Sequence, residues 1–195
     1  MVRGWRWTLG LMSVTAAACV LAAAFLTNVP LRWKPTSDLR LGNQQMAQTP
    51  IQFEKFTDAR QDPHAIGENR EDDTPKPVTT PDDVGEFVST HMRELFNKAG
   101  MNTVDSNGSV IIKGEVKDFY ARETRTYKAE VSIHLTLMSR DGTTLWSGTA
   151  PGEATRFGRS YNLENYYEVL SDSVVNATSA LLSSPDIQKA LRQQR

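Results

Sequence analysis

Carboxylates and one imidazole crowd into a short stretch of this chain, at Asp58, Asp62, His64, Glu68, Asp72 and Asp73. Such groups bind divalent cations or exchange protons with a substrate. Asp58, Asp62, His64 and Glu68 are therefore the metal candidates, and metal-dependent hydrolysis is the chemistry they would support. Their spacing does not favour it. Gly67 has no ordered Asp/Asn ladder before it, as an EF-hand loop requires. His64 and Glu68 stand four apart, but Pro63 and Gly67 oppose a regular helix between them. A solvated acidic loop is the plainer expectation for residues 57–81, with Pro63, Pro75, Pro77 and Pro81 interrupting it.

A second group is Arg156-Phe157-Gly158-Arg159-Ser160-Tyr161, which leads into Asn165-Tyr166-Tyr167. Arginine and aromatic side chains combine apolar area with directed hydrogen bonds, and they are enriched where proteins meet partners. Arg156, Phe157, Arg159, Tyr161 and Tyr166 are the candidate partner-binding residues. The plainer alternative is a helix entry with Tyr166 and Tyr167 in the core. His91 lies on the border of an apolar helical stripe and His134 on the polar side of a strand, so both read as structural. No serine sits in a Gly-x-Ser-x-Gly elbow, and there is no Walker loop or dinucleotide fingerprint. The sequence names no catalytic residue and implies no cofactor.

The elements that would carry these groups follow from periodicity. Ile51, Phe53 and Phe56 alternate with polar residues as a first strand. A helix opens at Thr80-Pro81-Asp82-Asp83, where Thr80 can cap and Pro81 suits the first helical position. Its stripe runs through Val84, Phe87, Val88, Leu95, Phe96 and Ala99, with Gly100 at the stop. Val110 to Tyr120 reads as a strand. Tyr127 to Leu137 alternates apolar with polar, so one face meets a core and one meets water. Arg140-Asp141-Gly142 turns the chain into Thr144–Gly148, with an extension towards Thr155 or Phe157 expected after a break at Pro151-Gly152. A helix spans Leu163 to Leu182, and Ser184-Pro185-Asp186 starts a short terminal one. The order β-α-β-β-β-α predicts an α+β domain, an antiparallel-rich sheet with helices packed on one face.

The first 30 residues differ from the rest. No charge occurs between Arg6 and Arg32, and Thr8 to Leu26 is almost wholly apolar, about 28 Å as a helix and close to the thickness of a bilayer's hydrocarbon core. Three readings stay open: a cleaved signal peptide ending near Ala24, an uncleaved anchor, and a lipoprotein acylated at Cys19. For an anchor, Trp5 and Trp7 on one side and Arg32, Trp33 and Lys34 on the other would form interfacial belts. Ala16-Ala17-Ala18-Cys19 lacks the usual Leu at −3, and apolar residues continue beyond Cys19. All three predict export, with the chain facing the periplasm. Residues 31–50 read as a polar tether and 51–195 as one extracytoplasmic domain. Cys19 is the sole cysteine, so the domain holds no disulfide. Lys and Arg number 22 against 23 Asp and Glu, and Arg3 and Arg6 both lie in the apolar part. A remainder this acidic does not suit nucleic acid, whose binding rests on clustered cations.

Lined up, these pieces resemble the YajG-like family of Gram-negative outer-membrane lipoproteins. The likeness runs from Asp58-Ala59-Arg60-Gln61-Asp62 through Phe96-Asn97-Lys98-Ala99-Gly100. It continues through the Asn107-Gly108 turn and the strand pair around Tyr127 to Val169-Leu170-Ser171-Asp172, covering about 51–192. The resemblance implies a topology and an envelope location, and it brings no site residues with it. The expected function is that of a non-enzymatic envelope accessory protein, tethered at or near a membrane. It would bind an envelope protein, glycan or lipid through its sheet face or the 156–167 region. The alternatives are the metal-dependent reading above and an accessory subunit of an envelope transport or secretion assembly.

Overall fold

The computed structural model describes residues 26–41 and 49–192. Eight strands form one mixed sheet: β1 Ile51–Phe53, β2 Thr57–Asp58, β3 Ala65–Asn69, β4 Lys76–Thr79, β5 Thr103–Val104, β6 Val110–Glu123, β7 Tyr127–Ser139 and β8 Thr144–Arg156. Three helices are described: α1 Val84–Lys98, α2 Leu163–Ser183 and α3 Pro185–Arg192. The α+β architecture matches the sequence expectation.

The long antiparallel strands β6, β7 and β8 are the spine. Tyr127 to Leu137 alternates buried with half-buried or exposed, which places its apolar face under the helices. Gly142, at φ +91°, makes the turn into β8. β8 runs through Pro151 without a break, because Pro151 sits on an edge strand where no neighbour needs its missing N–H. That edge is guarded further along, where Asn176 Nδ2 donates to the Glu153 carbonyl at 2.7 Å.

Residues 57–81 are not the loop expected from their prolines and charges. β1, β2 and β3 lie end to end along the other edge of β6, all parallel to it, with Ile51 opposite Val110, Thr57 opposite Glu115 and Gly67 opposite Ala121. β4 then turns back antiparallel to β3. Each segment is too short to show a period, and pairing with β6 supplies the order. Helix α1 also begins later than predicted. Asp83, not Thr80, is its cap, accepting from Glu86 N at 2.9 Å, while Thr80 Oγ1 accepts from Asp82 N.

Both long helices pack on one face of the sheet. Val84, Val88, Met92 and Phe96 of α1 and Tyr166, Leu170, Val174 and Ala177 of α2 join the inward residues of β6 and β7 in one core. At Gly152 of β8 a β-carbon would stand 2.1 Å from the Ser173 carbonyl oxygen. Only glycine permits that approach.

The described part of the polar tether, 31–41, is a strap on the helical face. Leu26 and Val29 are core residues, and Leu31, Trp33 and Leu39 pack against the core. Side chains of α2 satisfy the strap's irregular backbone, which has no ladder of its own. Ser171 Oγ accepts from Lys34 N, Asp172 from the Thr36 and Ser37 N–H groups, and Ser179 Oγ from Arg40 N. This explains why α2 is buried nearly all round, polar residues included. The proposed belt at 32–34 is occupied likewise. Arg32 lies over Tyr167, Trp33 stacks on His91 at 4.2 Å, and Lys34 pairs with Glu168 at 2.9 Å. Residues 26–41 are thus packed on the same core as the strands and helices that follow.

Candidate interaction surface

The acidic segment is consumed by its own scaffold. Asp58 and Arg60 form an ion pair at 2.7 Å. The Arg60 guanidinium also donates to the Ala65 and Pro63 carbonyls, each at 2.6 Å, and so pins the excursion between β2 and β3. Asp62 Oδ1 accepts from His64 N at 2.9 Å, which is a turn-forming role. His64 Nδ1 lies 3.0 Å from the Thr80 carbonyl. Glu68 meets Arg70 at 2.6 Å and Arg122 at 3.4 Å. A groove of about 510 Å³ brings Asp58 and His64 together with Lys55, Asp82 and Asp83, but Asp62 and Glu68 do not line it. Among the described residues no three His, Cys, Asp or Glu side chains are placed to hold a metal.

The histidines stay apart. His91 is stacked on Trp33, with Nδ1 2.7 Å from Glu94. His134 lies on the open sheet face, where its Nε2 is 3.2 Å from Ser147 Oγ. Glu115 stands opposite His134 in register, but its carboxylate is taken by Lys117, whose ammonium holds it below the usual carboxylate range. The acid therefore does not orient the imidazole, as a triad would require.

The 156–161 segment is held from below and open above. Its anchor is Glu123, the last residue of β6, fully buried on the apolar face. Tyr166 Oη donates to Glu123 Oε2 and Tyr127 Oη to Glu123 Oε1, both at 2.8 Å, and the Tyr161 N–H donates to Oε1 at 2.7 Å. A buried carboxylate is tolerated only when donors surround it, and here they come from β7, α2 and the loop. Tyr127 Oη also lies 2.6 Å from the Arg159 carbonyl, which accepts from Asn165 Nδ2 as well. Burial pushes the Tyr127 hydroxyl up to about 12, and burial beside Glu123 raises Tyr166 further.

The candidate residues of this segment divide accordingly. Tyr166 is core. Arg156 is spent on an ion pair with Glu168, and Tyr161 Oη donates to Asp72 at 2.6 Å while Lys76 sits 4.8 Å from its ring centroid. Hydrogen bonds from Lys76 and Tyr161 hold the Asp72 carboxyl below its usual range. Phe157 is left 81 % exposed, whereas among the described residues the next large hydrophobic, Leu41, is 37 % exposed. The Arg159 side chain is exposed beside it. So is Arg125, in the β6–β7 turn that the Tyr127–Arg156 pairing sets alongside. Sequence reasoning singled out neither Glu123 nor Arg125. The signal for Glu123 was present: alternation through Phe119 and Ala121 puts it on the buried face.

Cys19 lies outside the described residues, and no described helix is long and apolar enough to cross a membrane. No family model matches the chain, and no curated protein does. Among solved structures the chain is similar to protein XCC0632 from Xanthomonas campestris, of the DUF330 family. The TM-score is 0.58 at 14% identity, covering 85% of this chain and 96% of that one. Lower similarities include the PelC dodecamer from Paraburkholderia phytofirmans (TM-score 0.43, 15% identity, 76% and 95% covered). Lipoprotein GNA1162 from Neisseria meningitidis follows (TM-score 0.34, 14% identity, 57% and 88% covered). The Xanthomonas likeness is one of fold.

Proposed function

We propose that this protein is a non-enzymatic accessory protein of the bacterial cell envelope, held at a membrane by its N-terminal apolar run and binding another envelope component. The observation that carries this reading is that the end of the apolar run is part of the core. Leu26, the last residue of the apolar run, is 1% exposed in the core, and its carbonyl accepts from Thr79 N at 2.9 Å. An anchor ending there would leave no free linker, so the domain would rest on the membrane surface. Binding is favoured over catalysis because the groups able to do chemistry are engaged in holding the fold: Asp58 by Arg60, Glu68 by Arg70, and Glu123 by two tyrosines. The resemblance to the YajG-like lipoproteins and a periplasm-facing location belong to the same proposal.

Fractionation of a Gram-negative host producing the full chain tests it. The protein should pellet with membranes, resist extraction by salt, dissolve in detergent, and be digested by protease added to spheroplasts. Recovery in the cytosolic supernatant would overturn the reading.

A further inference from the structure

We propose that β8 pairs with β8 of a second copy of this chain, antiparallel about a two-fold axis at Gly148. The two sheets then run on as one, with all helices on the same side. The proposal goes beyond the envelope reading and does not depend on it.

The backbone of the edge fixes which groups are available. In an antiparallel pair, residues alternate between positions bonded to the neighbour and positions whose N–H and C=O point away from it. Where β7 turns into β8, Ser139 N–H donates to the Thr143 carbonyl at 2.8 Å. The register then puts Trp146, Gly148, Ala150 and Gly152 in the bonded positions against β7. Ser147, Thr149, Pro151 and Glu153 therefore turn their backbone groups outward. Two features agree: Pro151, which has no N–H, falls at an outward position, and the outward Glu153 carbonyl is the one that Asn176 reaches.

The fold closes one half of this edge and leaves the other. Pro151 and Asn176 end the free ladder at 151–153. No described residue bonds the Ser147 or Thr149 N–H groups. From Gly142 to Gly152 the chain carries no charge, although a free edge is ordinarily blunted by a lysine or another charge. The opposite margin of the sheet is treated otherwise. There the strap covers β4, with Thr79 N–H donating to the Leu26 carbonyl and Val29 N–H to that of Thr79, and β5 is only two residues long.

An unpaired ladder takes extended backbone, and its self-complementarity selects a second copy. With the axis at Gly148, Ser147 of each chain meets Thr149 of the other, giving about four hydrogen bonds. A two-fold axis would double any charge on this edge, and there is none. Trp146 is half-buried on the helix side, its ring so close over Gly148 that a β-carbon there would stand 2.5 Å from it. Pairing sets this indole opposite Ala150 of the second copy and completes its burial, as interface aromatics require. Beside the edge α2 shows only the half-buried Asn176 and the exposed Ala180, both uncharged and small enough for the second helix layer to close. Residues 144–152 make an edge roughly 30 Å long, and sheet plus helix are roughly 20 Å deep. Each copy thus buries on the order of 600 Å², about 1,200 Å² in total, which is the lower end for a stable interface. The dimer is therefore reversible.

Sedimentation of the full chain in detergent, over a concentration series, should show a monomer–dimer equilibrium. Thr149→Pro removes an outward N–H that β7 does not use, and it should weaken the dimer at least about tenfold with an unchanged circular dichroism spectrum. Thr149→Lys keeps that N–H but sets two like charges beside the axis, and it should weaken the dimer as well. Amide hydrogen exchange reads the unaltered chain directly. The Ser147 and Thr149 amides should be protected at concentrations that favour the dimer and exchange freely on dilution. A monomer with both amides in free exchange at every concentration would overturn the proposal. A dimer that survives both substitutions would overturn it too, by placing the contact elsewhere, the apolar N-terminal run included. Protection of the two amides in a chain that is recovered with a different protein would give the edge to that protein's strand and overturn the second copy. None of these outcomes bears on membrane attachment, so that reading stands or falls separately.

Discussion

The segments 58–73 and 156–161 both carry charged and aromatic-adjacent groups that invite a functional reading, yet the fold treats them oppositely. The first lies along an edge of β6, and its polar groups are drawn inward to hold irregular backbone, as when Arg60 ties Asp58 to the Pro63 and Ala65 carbonyls. The second leaves the end of β8 where no described residue covers Phe157. Its backbone is pinned by Glu123, but the side chains of Phe157 and Arg159 gain no partner among the described residues. Charge density therefore did not mark the available surface. What marked it was side chains left unspent after the backbone had been satisfied.

The contrast can be broken by removing either anchor. Glu123→Ala should destabilise the protein by about 3 kcal/mol, because it strands the Tyr166 hydroxyl and the Tyr161 N–H in the interior and takes one of two acceptors from Tyr127. Urea denaturation measures this, and trypsin should then cut after Arg159 faster. Arg60→Ala should cost about 2 kcal/mol by freeing the Pro63 and Ala65 carbonyls and leaving Asp58 unpaired. Its effect should stay at the β2–β3 excursion, with the Arg159 cut unchanged.

Alkali offers a probe of the loop anchor alone. Tyr127 is raised from 10.0 to about 12 and Tyr166 also lies above its ordinary value, so the folded state retains protons that the unfolded chain releases. The stabilisation is complete below pH 10 and is lost as pH rises towards 12. Phenolate absorbance should show these two tyrosines ionising together with unfolding, and titration of either near pH 10 in the folded protein would contradict the buried hub. The smallest effect belongs to Phe157→Ser, within about 0.5 kcal/mol of the parent in the same urea experiment. A larger loss would mean that the ring packs on the domain.

Much of the scaffold was legible from the chain alone. The stripe of α1, the alternation of β7, the Gly142 turn and the long face of α2 are local patterns, set by periods of 3.6 and 2 over enough residues to be counted. The contrast between a charge-free N-terminal run and a polar remainder is equally a property of sequence. Tertiary structure decided the rest. β2, β3 and β4 are two to five residues long; β2 and β3 exist because β6 offers an unpaired edge, and β4 because β3 then offers its own. The strap at 26–41 has no period, and it is ordered because Ser171, Asp172 and Ser179 face it from a helix more than a hundred positions away in sequence. Glu123 was visible as an acid in an apolar register, but its role depends on tyrosines from two other elements. Short-range patterns are fixed by geometry within a segment. Which donors meet which acceptors across the chain is fixed only when the core closes.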